Sequence, residues 1–161
     1  MTVKIHNPFT ILVDTREQTP WTWEGVETAS QSLPAGDYSV LGLEQHVVIE
    51  RKSLNDYVNT LLWNRERFRK ELKKLIQYEH RCIVVEATIE DIAAKHYTSR
   101  ANPSSLIGIT MGILVNWQIP VHFWNNRQLA MHMARLWLER IWRAEGEVIE
   151  KKSVTREVSS E

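Results

Sequence analysis

The residues whose types and spacing could do chemistry lie in a predicted β-hairpin that begins at Asp37. A four-residue turn at residues 42–45 joins its two strands. If the turn is centred in that segment, Asp37 lies opposite Glu50, and opposed residues have Cβ atoms about 4.5–5.5 Å apart on the same face. Lys52, two residues beyond Glu50, shares that face, whereas Arg51 points to the other one.

Two carboxylates and one lysine on one face of a sheet suit phosphodiester hydrolysis. Carboxylate oxygens bind a hard cation such as Mg²⁺, which keeps several waters. Such an ion neutralises phosphate charge and lowers the pKa of a bound water. A neighbouring ammonium group positions that water, or accepts its proton if its own pKa is depressed. The same three residues fit a surface of exposed salt bridges equally well, so the hairpin alone leaves both interpretations open.

The first predicted strand, residues 10–13, adds two further acids. Asp14 stands at its end, and Glu17 follows three residues later. If this strand neighbours the hairpin, both carboxylates approach the same metal site. Strand adjacency is a hypothesis at this point.

A basic segment, residues 65–74, follows the hairpin on a predicted helix. It contains six basic and two acidic side chains, so a nucleic-acid-binding protein could use it to contact phosphates. The alternative is a solvated helix face with a Glu66–Lys70 pair at i, i+4 spacing. The basic residues are Arg65, Arg67, Arg69, Lys70, Lys73 and Lys74.

The hydrophobic pattern predicts strands and helices in a layered arrangement. Ser53 is a favourable N-cap, with Asp56 at the third helical position. Strands are expected at residues 10–13, 37–41, 46–52, 81–87 and 121–124, and helices at residues 53–80, 88–96, 103–117 and 126–144. Residues 19–34 are expected to be mostly loop. This order favours an α/β or α+β domain.

Composition sets limits on the class of protein. The formal net charge is zero, which argues against a generically basic nucleic-acid binder but not against a local basic patch. No apolar run is long enough for a membrane helix, and no signal peptide is recognisable, so we expect an intracellular protein without membrane contact. The single cysteine, Cys82, is expected to be buried. We expect a domain over residues 1–146 and a flexible tail over residues 147–161.

Taken together, the motifs resemble the nuclease domain of the XPF family of structure-specific endonucleases. That family's signature is Gly-Asp, a variable gap, Glu-Arg-Lys, three residues and Asp. It corresponds here to Gly36-Asp37, the segment 50–52 and Asp56. The family's upstream Val-Asp-x-Arg-Glu corresponds to residues 13–17. The match extends more loosely over residues 10–144, in a compact, stand-alone form.

The resemblance implies a restriction-endonuclease-like α/β fold, with a central mixed β-sheet flanked by helices. It implies Mg²⁺ or Mn²⁺ as cofactor and branched DNA, or a junction between duplex and single strand, as the partner. The implied metal ligands are Asp14, Asp37 and Glu50, and the implied catalytic residues are these three with Glu17, Arg51 and Lys52. Asp56 would support the motif, and Arg16 would contact DNA with the basic segment.

The last two predicted helices are apolar on several sides. On the final helix, one stripe consists of Leu129, Met133, Leu136 and Trp137, and the other of Met131, Leu138 and Trp142. The family resemblance implies a homodimer with these helices in the interface. The competing interpretation is a thick core.

The sequence therefore favours a metal-dependent DNA endonuclease that acts in repair, recombination or replication. One alternative is a non-catalytic DNA-binding or scaffolding subunit with the same fold. Another is a folded domain whose acidic cluster forms salt bridges only.

Overall fold

A mixed six-stranded β-sheet forms the centre of the protein. The computed structural model describes the backbone of residues 8–158 and the side chains of residues 8–146. The strands are β1 (Thr10–Asp14), β2 (Glu27–Gln31), β3 (Tyr38–Val40), β4 (Val47–Lys52), β5 (His80–Val85) and β6 (Val121–Phe123). Their order in the sheet is β2-β1-β3-β4-β5-β6. The β1–β3 and β3–β4 pairs are antiparallel, and the other three are parallel.

Helices cover both faces of the sheet. They are α1 (Leu54–Trp63), α2 (Arg65–Leu75), α3 (Ile89–Ala93), α4 (Pro103–Asn116) and α5 (Arg127–Val158). Val48 and Ile83 pack with α1, α2 and α4 on one face, whereas Ile49 and Val84 pack with α5 on the other. Because successive strand residues point to opposite faces, the continuous apolar runs of β4 and β5 form the middle of three layers.

The hairpin has the register that the sequence predicts. Tyr38 pairs with Ile49, so the preceding Asp37 comes level with Glu50, and the Asp37 backbone N–H donates to the Ile49 carbonyl at 2.8 Å. Strand β1 lies beside β3, and the Asp14 N–H donates to the Asp37 carbonyl at 2.8 Å. The predicted adjacency of the first strand and the hairpin is therefore confirmed.

Two predictions of secondary structure were wrong. Strand β2 lies within the stretch predicted as loop; all five of its residues are exposed, and only its backbone pairing with β1 defines it. Because no side chain of this edge strand is buried, its sequence lacks the alternation of apolar and polar residues that indicates a half-buried strand. The single predicted helix over residues 53–80 is two helices, because Asn64 leaves the helical conformation at φ −117° and ψ 34°.

The last helix is longer than expected. The sequence places its end at Ala144, before Gly146, but α5 continues through this glycine to Val158. A glycine inside a helix costs only about 1 kcal/mol, so it does not by itself end one. The division into a domain of residues 1–146 and a flexible tail of residues 147–161 stays a prediction, and residues 159–161 lie outside the described part of the chain. Among the described residues, no helix is both long and apolar enough to cross a membrane.

Gly36 provides a test of how the hairpin is positioned. Its φ is +69°, and a Cβ atom there would overlap a Val48 methyl group and lie 2.9 Å from the Ile49 carbonyl oxygen. We expect Gly36→Ala to lower the free energy of unfolding by about 2–4 kcal/mol, because the left-handed backbone is disfavoured and the strand must move. Chemical denaturation would measure this loss.

The matched control is Gly25→Ala. Gly25 has a similar φ of +71°, but no atom lies within 4 Å of its added Cβ. Its substitution should therefore lower the free energy of unfolding by only about 1–2 kcal/mol, because a non-glycine residue disfavours the left-handed backbone conformation. Equal losses in the two variants would show that close packing against β4 does not require the glycine.

Candidate active site

Two adjoining clefts lie at one end of the sheet, and each of the six predicted catalytic residues lines at least one of them. The larger cleft, of about 610 Å³, is lined by Glu17, Asp37, Glu50, Arg51 and Lys52, among other residues. The smaller, of about 410 Å³, shares Asp37, Glu50 and Lys52 and adds Asp14. The clefts form where β1, β3 and β4 approach the start of α1 and one face of α2. The fold therefore brings together residues that are up to 38 positions apart in sequence.

Asp37 and Glu50 form a carboxylate pair at the centre. Burial and the charge of Glu50 raise the pKa of Asp37 to about 8. Burial also raises the pKa of Glu50, although the Lys52 ammonium opposes this change. Asp37 Oδ2 accepts the Arg51 backbone N–H at 2.7 Å, but among the described side chains Asp37 has no cation within ion-pair distance. The pair therefore carries excess negative charge that a cation would stabilise.

Lys52 lies between two acids. Its Nζ is 3.0 Å from Glu50 Oε1 and 3.7 Å from Glu71 Oε2. Burial lowers the pKa of Lys52, but the charges of Glu50 and Glu71 outweigh burial, so the pKa lies above its usual range. The side chain is consequently an ammonium ion in this state. A role in positioning a water or a phosphate fits this charge, and the role of proton acceptor stays the alternative prediction.

Arg51 lies on the opposite face of β4, as the strand alternation predicts. Its Nε and Nη2 donate to the two carboxylate oxygens of Glu86 at 2.7 and 3.2 Å. Nη1 donates to Glu17 Oε1 at 3.3 Å and to the Thr19 carbonyl at 3.2 Å. The guanidinium also lies 5.7 Å from the centre of the Trp21 ring. Arg51 therefore fixes the loop that carries Glu17 against the sheet.

Asp14 makes more contacts than a simple metal ligand would. Its side chain is 2% exposed, and both of its oxygens accept hydrogen bonds. Oδ2 accepts from Arg16 Nε at 2.8 Å, and Oδ1 from the Leu33 backbone N–H at 2.8 Å. Burial raises the pKa of Asp14, but these hydrogen bonds together lower it below its usual value. In this conformation Asp14 anchors Arg16 and the loop before Gly36.

Asp56 holds the start of α1. Ser53 Oγ donates to Asp56 Oδ2 at 2.7 Å and accepts the Asp56 backbone N–H at 3.2 Å. The predicted N-cap is confirmed. The contacts of Asp56 lie at this helix N-terminus, since the Arg51 guanidinium bonds to Glu17, Thr19 and Glu86.

The basic segment is divided between three sides of α2. Arg67, Lys70 and Lys74 line the smaller cleft, and Arg67 lines the larger one as well. Arg65 and Arg69 instead border an apolar groove of about 280 Å³ between α2 and α4. Lys73 borders none of these cavities. Arg16, which is 67% exposed, lines both clefts.

Sequence reasoning missed two acids that organise the site. Glu86 follows β5 directly; besides Arg51 it accepts the Trp21 Nε1–H at 2.7 Å, and Arg127 lies 3.6 Å away. Glu71 projects from α2 towards Lys52, and its Oε2 is buried without a hydrogen-bond partner among the described residues. Glu86 had a recognisable signal, namely an acid at the carboxyl end of a buried strand. Glu71 had none, because it sits in a helix rich in charges.

The acids at the cleft are of the type that binds a hard divalent cation, but among the described residues no three of them place ligand oxygens within 4.8 Å of one another. Asp37, Glu50 and Glu17 offer carboxylate oxygens, and each nearby cation, Arg51 or Lys52, is shared between two acids. Oxygen donors with excess negative charge are what Mg²⁺ and Mn²⁺ prefer.

A second group of potential ligands lies elsewhere, although the sequence showed no metal-ligand spacing among the histidines. Glu79, His80 and Glu145 place one atom each within 4.8 Å of the others. His80 begins β5 and is level with Val47, three residues before Glu50, so this cluster lies about 10 Å from the carboxylate pair along the strand direction. It is not part of the cleft.

The carboxylate repulsion predicts that Asp37→Asn stabilises the metal-free protein. The folded-state pKa of Asp37 is near 8 and the unfolded value is about 4, so folding takes up a proton between these limits. Wild-type stability therefore falls as the pH rises from about 4 to 8, whereas an amide does not titrate. We expect a gain of roughly 1–3 kcal/mol at pH 8 in EDTA that disappears towards pH 4.

Thermal and chemical denaturation across that pH range would measure the gain, with the exposed Glu24→Gln as control. A variant no more stable than wild type at pH 8 would show that the pair is not under electrostatic strain.

Comparisons with known proteins agree with this geometry. The model of the ERCC4 domain matches residues 13–136. Among solved structures, XPF from Aeropyrum pernix aligns with a TM-score of 0.68 at 20% identity, covering 88% of this chain and 69% of that chain. The same protein in complex with DNA aligns with a TM-score of 0.68 at 19% identity, covering 85% and 66% of the two chains. The predicted α/β fold is confirmed.

A curated relative is similar over a limited part of its length. "Putative ATP-dependent RNA helicase MJ1505" of Methanocaldococcus jannaschii is 29% identical over 125 residues, covering 75% of this chain and 14% of the relative. The chain thus spans about a seventh of that relative's length. Since the ERCC4 model matches well over half of the sequence, the chain belongs to the ERCC4 domain family, the XPF-type nuclease family that its motifs resemble.

Proposed function

We propose that this protein is a metal-dependent endonuclease that hydrolyses phosphodiester bonds in DNA at branched, flap or junction structures. The observation that carries the proposal is the convergence of Asp37, Glu50 and Lys52 on one cleft wall. Two partly buried carboxylates with raised pKa values beside an ammonium group are unfavourable for the folded protein alone. A divalent cation and a phosphate would satisfy both charges.

Asp37 and Glu50 would hold the metal ion, Mg²⁺ or Mn²⁺, with Glu17 beside them. When bound, such an ion supplies charge neutralisation at the phosphate and a water of lowered pKa. Asp14 stays a predicted ligand: it lines the same cleft, and Arg16 would have to release one of its oxygens. Arg51 would act indirectly, by holding Glu17 through the hydrogen bond at 3.3 Å.

Lys52 would act as a fixed positive charge beside the attacked phosphate. Its ammonium is held by Glu50 and Glu71 from two sides, so it points into the cleft with little freedom. From there it can donate hydrogen bonds to the attacking water or to a phosphate oxygen.

The DNA backbone would follow the cationic edge of the cleft. Arg16 borders both cavities from the β1 side and Arg67 borders both from α2, whereas Lys70 and Lys74 border the smaller one only. These four side chains can neutralise successive phosphates next to the carboxylate pair. Arg65, Arg69 and Lys73 lie outside the clefts, so they would contact DNA only where it leaves the site.

A cleavage assay tests this function. Purified protein with Mg²⁺ or Mn²⁺ should cut labelled flap, fork or other branched DNA, and EDTA should abolish cutting. Asp37→Ala or Glu50→Ala should reduce cleavage by at least about 100-fold while binding in EDTA stays within a few-fold of wild type, because these acids hold the ion rather than the DNA.

The exposed Glu24→Ala serves as the matched control. Binding of the same DNA panel without any cut, unaffected by Asp37→Asn, would instead support a non-catalytic DNA-binding or scaffolding subunit. Absence of both cleavage and binding would favour a cluster that forms salt bridges only.

We further propose a homodimer through the C-terminal helices. On α5, Ala130, Ala134 and Leu138 face the sheet, whereas Leu129 and Leu136 are 41% and 48% exposed. Met131 and Trp142 of one predicted stripe, and Trp137 of the other, pack against the core, so Leu129 and Leu136 remain uncovered. A second copy covering the Leu129–Leu136 stripe would remove it from water.

Light scattering after size exclusion should give about twice the chain mass of 18.9 kDa. Leu129→Glu with Leu136→Glu should give monomers with an unchanged far-ultraviolet circular dichroism spectrum. A monomeric wild-type protein at micromolar concentration would contradict the proposal. Action in repair, recombination or replication and an intracellular location stay predictions.

A further inference from the structure

Trp63 is the most exposed large apolar side chain in the described part of the protein, at 74%. It is the last residue of α1, where the chain breaks before α2. Leaving an indole ring in water costs free energy, and the side chain packs against none of the buried clusters. Neither the family motif nor the proposed catalytic residues account for it.

The position of Trp63 on α1 connects it to the cleft. Asp56, Asn59 and Thr60 line the larger cleft. Residues three, four and seven apart share one face of a helix, so Trp63 continues this face one turn beyond Asn59 and Thr60. The opposite face of α1 carries the buried residues Tyr57, Val58 and Leu61. The exposed indole therefore stands at the outer end of the cleft wall that begins at the carboxylate pair.

The spacing along this wall matches a short run of nucleotides. From Asp56 to Trp63 the helix rises seven residues, or about 10 Å. Successive stacked nucleotides rise about 3.4 Å, so a strand that follows α1 out of the cleft would pass Trp63 about three nucleotides beyond Asp56, which itself lines the larger cleft.

The charges around Trp63 favour a nucleic-acid strand. Asn64, the next residue, lines the larger cleft. Arg67, one turn into α2, lines both clefts, and its side chain is 82% exposed. An aromatic ring beside an amide group and an exposed guanidinium, whose Nε lies 3.5 Å from Glu71 Oε1, offers a base a stacking surface and its phosphate a partner.

We propose that Trp63 stacks on an unpaired base of the single-stranded arm of the DNA substrate, a few nucleotides from the cut. This inference rests on the proposed nuclease function and deepens it, because it assigns the preference for branched DNA to one side chain. Bases inside a duplex are covered on both sides by their neighbours, so an indole ring can stack only where a base is unpaired. A fully paired duplex would contact the arginine and lysine side chains without engaging Trp63.

Binding measurements in EDTA on the Asp37→Asn background test the proposal without requiring cleavage. Fluorescence anisotropy would compare Trp63→Ala and Trp63→Phe on flap DNA and on a duplex of equal length. We expect Trp63→Ala to weaken flap binding by about 5- to 100-fold and duplex binding by less than about 2-fold. Trp63→Phe should keep most of the affinity, because a phenyl ring still stacks. Ile76→Ala, an exposed apolar residue at the far end of α2 that borders neither cleft, should change neither affinity.

A fluorescent base analogue locates the contact. 2-Aminopurine placed at successive positions of the single-stranded arm should be quenched most at one position, a few nucleotides from the cut, and Trp63→Ala should remove that quenching. Equal flap affinity of Trp63→Ala and its parent would overturn the inference, as would an equal loss on flap and duplex. A change of molecular mass on substitution of Trp63 would also overturn it, since the residue would then lie in a protein interface.

The outcomes separate this inference from the proposed function. If wild-type protein cuts branched DNA and Trp63→Ala binds and cuts as well as wild type, the inference fails and the nuclease function stands. If no DNA is cut but the flap-specific loss of binding appears, the nuclease function fails and the stacking site stands.

Discussion

The repulsion between Asp37 and Glu50 is the constraint on which the rest of the site depends. Two carboxylates kept together away from water destabilise the folded state, and neither is neutralised completely by the protein. Burial and mutual charge raise the pKa of Asp37 to about 8. The hairpin keeps the pair in place because its register is fixed by backbone hydrogen bonds and by the buried apolar side chains of β4. Binding of a cation between the two carboxylates would relieve this repulsion.

Because side chains alternate along β4, the two cations that compensate the charges of the acids lie on opposite faces of the sheet. Lys52 reaches Glu50 and Glu71 on the α2 side, whereas Arg51 reaches Glu86 and Glu17 on the other. Each cation is shared by two acids, so neither is free to neutralise Asp37. The protein therefore holds its carboxylates in position without neutralising their charge. Consecutive positions in one strand achieve this because strand side chains alternate between the faces of the sheet.

The central parts of this site could be predicted from sequence because they depend on local rules. The turn of the hairpin sets the register that brings Asp37 level with Glu50, and Ser53 with Asp56 carries the signature of a helix start. Contacts made between elements were not predictable in this way. Glu71 reaches Lys52 only because α2 turns away from α1 at Asn64, and the pairing of Asp14 with Arg16 and the Leu33 backbone depends on how the loop around β2 folds back. Strand β2 itself was missed because its side chains all face water.

The break at Asn64 also explains how one basic segment comes to serve different surfaces. A single continuous helix would carry residues 54–75 along one axis, away from the sheet. Because the chain turns at Asn64, Phe68 and Leu72 pack against the core, and the face of α2 that carries Arg67 and Lys70 comes to lie beside the carboxylates. The same turn leaves Trp63 at the corner between the two helices, without partners in the core. The position of the basic residues at the cleft and the exposure of the indole ring are thus two consequences of one local change in backbone direction.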